Sequence, residues 1–216
     1  MTGVQTCALP IFTQNDFFTS SVFITDKPEF LTAVRTVAME YLKEVKATAA
    51  LDPFYPVQTN GIAQEPILSE FNGFIAQTAW EILDSQGYAV DKMGTYIREM
   101  WVQEHNQNQG HDEHVHGLGD QISGVYIIDC PDMGSALTIH DPRPGKLQIN
   151  LAEKNRKDIT DASPSAVLVP KEGRFFFFNS WLPHSLTRST QTAASRLVHF
   201  NRSEEHTSEL QSLRHL

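Results

Sequence analysis

Four histidines fall within twelve residues of this chain: His105, His111, His114 and His116. The stretch GHDEHVHGLGDQ, residues 110–121, adds Asp112, Glu113 and Asp120. In an extended strand, residues i and i+2 project to the same face, so His114 and His116 can reach one metal ion. Imidazole nitrogens suit Fe, Zn, Cu or Ni. A His-x-His pair alone is equally at home in a polar surface loop. A competing register, His111-x-Glu113, would pair an imidazole with a carboxylate. Downstream, His184 follows a Trp-Leu-Pro turn, an unnatural place for a lone core histidine. Just before that turn, the four phenylalanines Phe175–Phe178 read as core. Arg196 comes later, inside the apolar strand SRLVHFN. A guanidinium there is costly unless it meets an anion or an acidic partner.

These residues need a scaffold. Residues 16–25 (DFFTSSVFIT) are rich in aromatic and β-branched types and predict a strand. Asp26 with Glu29 forms a capping-box pattern, and Leu31, Val34, Ala38, Tyr41 and Val45 predict a helix over 27–48. Residues 51–65 hold Pro53, Pro56 and Asn60-Gly61 and predict a loop. Ser69 is placed to cap a second helix with Phe71, Phe74, Ile75, Thr78 and Ile82 on one face, stopped by Gly87. The period then changes. Short strands are expected at 96–105, 122–128, 136–139, 146–149, 166–169, 174–178, 185–187 and 196–200, punctuated by Gly and Pro. Two helices followed by many short strands predict an α+β fold with a sandwich or jelly roll.

The phrases HVHGLGDQISGVYIIDCP, LTIHDPR and PKEGRFFFFNSWLPHSLTRS…SRLVHFN occur in that order from about Trp101 to Asn201. Together they resemble a family of 2-oxoglutarate/Fe(II)-dependent oxygenases found often in phage and marine microbial sequences. The resemblance implies a double-stranded β-helix, jelly-roll or cupin-like, with the N-terminal helices packed on it. It implies a dioxygenase that hydroxylates a substrate with release of succinate and CO2, using Fe(II), 2-oxoglutarate as co-substrate and O2. Carried over residue by residue, His114 and His184 become iron ligands. Arg196 becomes the residue that pairs with the far carboxylate of 2-oxoglutarate. His116 stands where the wider superfamily has Asp or Glu, so the triad would be three histidines. The SGVYI phrase favours this register over His111/Glu113.

Other residues carry weaker expectations. Trp101, Gln103 and Tyr126 lie on strands that line the barrel, where they contact co-substrate or substrate or simply fill it. His199 is a core or supporting histidine, Asp141 and Arg143 a local ion pair in a turn, and Cys130 a packing residue. Two other function classes remain open on the sequence: a cupin-like metal enzyme that does not use 2-oxoglutarate, and a non-catalytic jelly-roll binding module.

The chain has 216 residues and a net charge of −9, with 17 basic and 26 acidic side chains. That balance argues against nucleic-acid or anionic-membrane binding, and no apolar run reaches membrane-spanning length. The two cysteines make no disulfide framework, which points to a reducing, cytoplasmic setting. The substrate class stays between a small molecule and a protein side chain. The ends read differently from the rest. RSEEHTSELQS, residues 202–212, back-translates into DNA whose reverse complement, in a shifted frame, encodes TGVQTCALPI, residues 2–11. That DNA resembles a short-read sequencing adapter. Residues 1–11 and 202–216 are therefore expected to be adapter-derived, leaving 12–201 as one oxygenase domain, helical over 12–94 and jelly roll over 95–201. Setting aside two arginines, three glutamates, two histidines and Cys7 leaves a charge of −8, seven histidines and one cysteine.

Overall fold

The computed structural model describes residues 13, 15–50, 52–117 and 119–206. The expectation for residues 1–11 lies outside the described residues, as does most of that for 202–216. Strand β1 (Val22–Asp26) precedes helix α1 (Leu31–Thr48), then β2 (Val57–Gln58) and helix α2 (Ser69–Ser85). Strands β3 (Met93–His105), β4 (His111–His114), β5 (Ile122–Asp129), β6 (Leu137–His140) and β7 (Ser165–Val167) follow. Strands β8 (Arg174–Asn179), β9 (His184–Leu186) and β10 (Ser195–His206) complete the order.

The strands form two antiparallel sheets. One has the order β1-β8-β5-β10-β3-β2 and the other β4-β9-β6-β7. This is the expected α+β arrangement, a double-stranded β-helix with two helices laid on its larger sheet. Alternation along each strand splits the apolar residues into two cores. Phe175, Phe177, Tyr126, Ile128, Val102, Val198 and Phe200 pack with Val34, Leu42, Phe71 and Ile75 of the helices. Phe176, Phe178, Val125, Ile127 and Leu197 pack with Leu137, Ile139 and Leu186 of the smaller sheet. The run of four phenylalanines thus feeds both faces of a doubly covered strand, which is why it shows no alternation. A residue's parity on β3, β5, β8 or β10 therefore decides whether it faces the helices or the barrel interior.

The helices obey their predicted faces but not their predicted starts. The Asp26 carboxylate accepts hydrogen bonds from Arg174 and Lys171 instead of capping α1. A 3-10 turn at Pro28–Phe30 leads directly into the helix. A second such turn, Pro66–Leu68, feeds α2, so Ser69 is its first residue and not its cap. Gly87, at φ 88°, does stop α2 as expected: its N–H donates to the Asp84 carbonyl and that of Tyr88 to Leu83.

Three strand expectations need correction. Residues 16–21 stay outside the sheet, with Phe18 at φ 57° and fully exposed. Residues 146–149 fall largely in a 3-10 turn, Pro144–Gln148, because Pro144 has no N–H to give a ladder. Strand β10 continues to His206, pairing Arg202–His206 with Met93–Ile97 of β3. Cross-strand backbone pairing makes no demand for particular side chains, so it extends through the residues of the second suspect segment.

Candidate metal centre

The metal-ligating atoms of His114, His116 and His184 all lie within 4.8 Å of one another. His114 ends β4, His116 follows two residues later, and His184 opens β9. Antiparallel pairing of β4 with β9 sets His114 opposite His184, and β9 also pairs His184 with Ile139 of β6. The His184 ring packs 4.6 Å from Phe178, which places it in the barrel interior. His116 Nε2 is 3.2 Å from His184 Nε2.

The second ring nitrogens are as informative as the first. His114 Nδ1 donates to the Asp112 carbonyl at 2.8 Å, and His184 Nδ1 to the Leu182 carbonyl at 2.9 Å. A carbonyl can only accept, so both rings carry their proton on Nδ1 and present a bare Nε2. Burial, joined by repulsion from the neighbouring histidines, lowers His116 to about 4 and His184 to about 3. Both rings are neutral at physiological pH. His116 Nδ1 sits 3.1 Å from Asn201 Nδ2, which also donates to Glu99 at 3.2 Å. Ser123 donates to Asn201 Oδ1 and contacts Ser180. Three neutral imidazoles converging inside a jelly roll have the chemistry of a borderline divalent transition-metal site.

Beyond the triad the interior wall stays polar. His111 stacks on His114 with ring centroids 4.3 Å apart, and lies edge-on to His199 at 6.3 Å. His199 stacks on Trp101 at 5.2 Å, nearly parallel. Gln103 accepts from His105 Nε2 and donates to Gln58. Burial lowers His105 to about 4 and holds His199 well below the ordinary imidazole value. A groove of about 410 Å3, lined in part by Gln58, Glu99 and Trp101, opens along β3.

The structure brings His114, His116 and His184 together and leaves the alternative register apart. Glu113 is exposed and faces His140; a register irregularity in β4 between His111 and His114 brings those two rings together and leaves Glu113 out. Arg196, expected to pair with the far carboxylate of 2-oxoglutarate, meets acidic side chains of the chain itself. Its guanidinium donates to Glu104 at 2.7 Å and to Asp129 at 2.9 Å. Those carboxylates also hold Lys46 and Arg35 of α1. Arg196 shares its parity with Val198 and Phe200, which face the helices, whereas Leu197, His199 and Asn201 face the barrel interior. The acidic partners demanded by a charge in an apolar strand are present, but they lie on the opposite side of the sheet. Tyr126 is likewise buried against the helices, donating to the Lys27 carbonyl. Asp141 and Arg143 make the expected local pair, and Cys130 is a free, half-buried packing residue. Asn201 received no role from the sequence, and His111 only its place in the alternative register; the parity of β10 relative to His199 is the signal that finds Asn201.

An antiparallel jelly roll holding a three-histidine cluster in its interior defines a class, the non-haem metal enzymes of the double-stranded β-helix type. Residues 99–201 match the family model described as "Putative 2OG-Fe(II) oxygenase". Several solved structures share the fold. One is a non-heme alpha-ketoglutarate-dependent carbocyclase, SnoK, of nogalamycin biosynthesis: 12% identity, 85% of this chain and 79% of that one covered, TM-score 0.62. Another is a Pseudomonas putida prolyl-4-hydroxylase: 12% identity, 86% and 94% covered, TM-score 0.57. A third is AviO1 from Streptomyces viridochromogenes Tue57: 10% identity, 85% and 90% covered, TM-score 0.59. No curated protein matches the sequence. The match to the 2OG-Fe(II) oxygenases spans just under half of the chain, the jelly-roll half that holds the three histidines, and it implies Fe(II) as cofactor with 2-oxoglutarate and O2 as co-substrates. Among the described residues no helix is long and apolar enough to cross a membrane.

Proposed function

We propose that this chain is a non-haem Fe(II)- and 2-oxoglutarate-dependent dioxygenase that hydroxylates a small molecule or a protein side chain, releasing succinate and CO2. The observation that carries the reading is the convergence of three imidazoles on one point, two of them held with a bare Nε2 by backbone carbonyls. His114, His116 and His184 hold the iron, which supplies the oxidative chemistry together with 2-oxoglutarate and O2. His116 in place of a carboxylate leaves the ligand set uncharged. The site therefore keeps the metal's full double positive charge, which draws an anionic co-substrate more strongly than a carboxylate-bearing triad would.

The remaining residues orient and dry the site. The Leu182 and Asp112 carbonyls fix two rings. Asn201, anchored by Ser123 and Glu99, fixes the third. Phe178 closes the interior side of His184. The experiment is anaerobic addition of Fe(II) and 2-oxoglutarate, watching for the visible metal-to-ligand charge-transfer band, followed by aeration and assay of succinate. A band and succinate are expected. No band in the wild-type chain removes the reading.

A further inference from the structure

Among the described residues, three buried polar atoms on adjoining strands of the barrel wall make no hydrogen bond: Trp101 Nε1, His105 Nδ1 and His199 Nε2. His199 is 3% exposed and His105 0%. Trp101 and His199 are direct partners across β3 and β10 and stack on one another. Both share the interior parity of Gln103 and Asn201. The wall adjoins the triad along two paths. Asn201 touches His116 and is two residues from His199 on the same face. His111 stacks on His114 and meets the edge of His199. Around His199 stand Trp101 of β3, Val125 of β5 and His111 of β4, with no acidic group among them.

An indole N–H can only donate, and an imidazole tautomer can place its N–H at Nε2. His105 gives its proton to Gln103 through Nε2, so its Nδ1 is an acceptor; the donors are Trp101 and His199, and buried donors without partners call for a ligand rich in acceptors. Arg196, whose charge is spent on Glu104 and Asp129 across the sheet, does not supply that contact.

We propose that Trp101 Nε1–H and His199 Nε2–H bind the far carboxylate of 2-oxoglutarate, and that Arg196 instead ties α1 to the sheet. The assignment rests on the dioxygenase reading for the identity of the ligand. It needs no arginine because the ligand's other end meets an uncompensated dication, and a desolvated carboxylate gains from neutral N–H donors in a low-dielectric wall. Geometry favours the wall over Arg196: a five-carbon diacid seated at the triad extends along the interior, not through the sheet.

The test is calorimetric titration of the full chain loaded with redox-inert Zn(II). The titrants are 2-oxoglutarate and 2-oxobutyrate, which keeps the keto-acid head but lacks the far carboxylate. Trp101→Phe and His199→Phe are each expected to raise the Kd of 2-oxoglutarate about tenfold, the size of one hydrogen bond to a charged group. The Kd of 2-oxobutyrate should change less than about twofold, because both donors lie away from the head group. His199→Gln, which restores an N–H, recovers part of the loss. Arg196→Gln lowers the unfolding midpoint and leaves the Kd of 2-oxoglutarate unchanged. Stoichiometric Zn(II) uptake by each variant shows that the site is folded. Loss of 2-oxoglutarate affinity in Arg196→Gln with silent Trp101→Phe and His199→Phe overturns the assignment. So does equal weakening of both keto acids. The charge-transfer experiment reports separately: the calorimetric pattern without the band removes the oxygenase reading and keeps the wall, and the band without the pattern does the reverse.

Discussion

His116 Nε2 and His184 Nε2 stand 3.2 Å apart although 68 residues separate them in sequence. Two lone pairs that close repel unless a proton or a cation lies between them, so the pair is built to share a positive centre. We expect His114→Ala, His116→Ala and His184→Ala each to weaken Fe(II) or Zn(II) binding by more than about 100-fold, beyond what losing an outer partner costs. His116→Asp should retain metal, since iron accepts a carboxylate there. Metal titration followed by equilibrium dialysis decides it. Undiminished uptake by His184→Ala would remove that residue from the ligand set.

Asn201 fits either tautomer of His116. Its Nδ2 can donate to a bare Nδ1, and by a half-turn its Oδ1 can accept from an Nδ1–H, the form that frees Nε2 for metal. Ser123 and Glu99 hold the amide in the first of these orientations, with Nδ2 toward His116, and the half-turn exchanges those bonds. Asn201→Leu keeps the bulk but orients nothing. It should cost about 10–100-fold in metal affinity, as loss of a supporting partner usually does. Dialysis against a competing chelator measures it, with near-UV circular dichroism showing the fold retained.

The three-histidine cluster and the fold class were legible because they rest on short-range rules. Strand alternation, turn residues and the order of the motifs after Trp101 carry both. What escaped is what depends on parity. Arg196 and His199 sit three residues apart on one strand and so face opposite sides of the sheet, and only the pairing of β10 with β3 and β5 says which side is the barrel. Between Arg196 and Leu197 the β5 register slips by one residue, a bulge that no local pattern in SRLVHFN announces. The helix starts escaped for another reason. Asp26 has the right type and spacing for a cap, but Arg174, 148 residues away, outbids the helix N–H groups for its carboxylate.

The five-membered chain Lys46–Glu104–Arg196–Asp129–Arg35 couples α1 to three strands. The Glu104 side chain is only 2% exposed. Burial works to raise its pKa, but the bonds from Lys46 and Arg196 outweigh burial and leave it lowered. Removing one cation strands a buried charge. Arg196→Met should therefore destabilise the chain by about 3 kcal/mol, at the low end for a broken buried pair because Lys46 remains. The double variant Arg196→Met/Glu104→Leu should recover part of that loss. Urea unfolding of the four corners of the cycle tests this, and additive losses would mean that the two side chains do not interact.

Gly124 of β5 lies under the Phe200 ring. A Cβ there would fall inside contact distance of that ring and of the Phe176 carbonyl. Phe200 is fully buried against the helices and the carbonyl belongs to the adjacent strand, so neither can yield freely. Gly124→Ala should cost about 3 kcal/mol, the upper range for overpacking, seen as a lower urea midpoint. A change below about 0.5 kcal/mol, the level of ordinary surface substitutions, would show that the strands separate more easily than this packing implies.

Acid should unfold this protein earlier than its carboxylates alone would cause. His105 and His116 are lowered from the ordinary value of 6.5 to about 4 and His184 to about 3, in each case chiefly by burial. These rings stay neutral in the folded chain while the unfolded chain takes up protons near pH 6.5. The unfolded state then binds more protons, so stability rises with pH across this window. Their penalty is absent above about pH 7, starts near 6.5 and grows until the folded rings themselves protonate near 4 and 3. Each ring contributes up to about 1.4 kcal/mol per pH unit. Glu104, whose lowered pKa gives stability lost only below its ordinary 4.5, adds to the fall at the acid end. We expect the urea midpoint of the apoprotein to drop steeply between pH 6.5 and 4, and His105→Phe, which removes a ring outside the triad, to flatten that slope by the share of one proton. Saturating Zn(II) should move the drop to lower pH, because a metal that binds only the folded triad adds stability by mass action and competes with protons for the same nitrogens. A midpoint that stays level from pH 8 to 5 would mean that these rings are hydrated and titrate as they do in the unfolded chain.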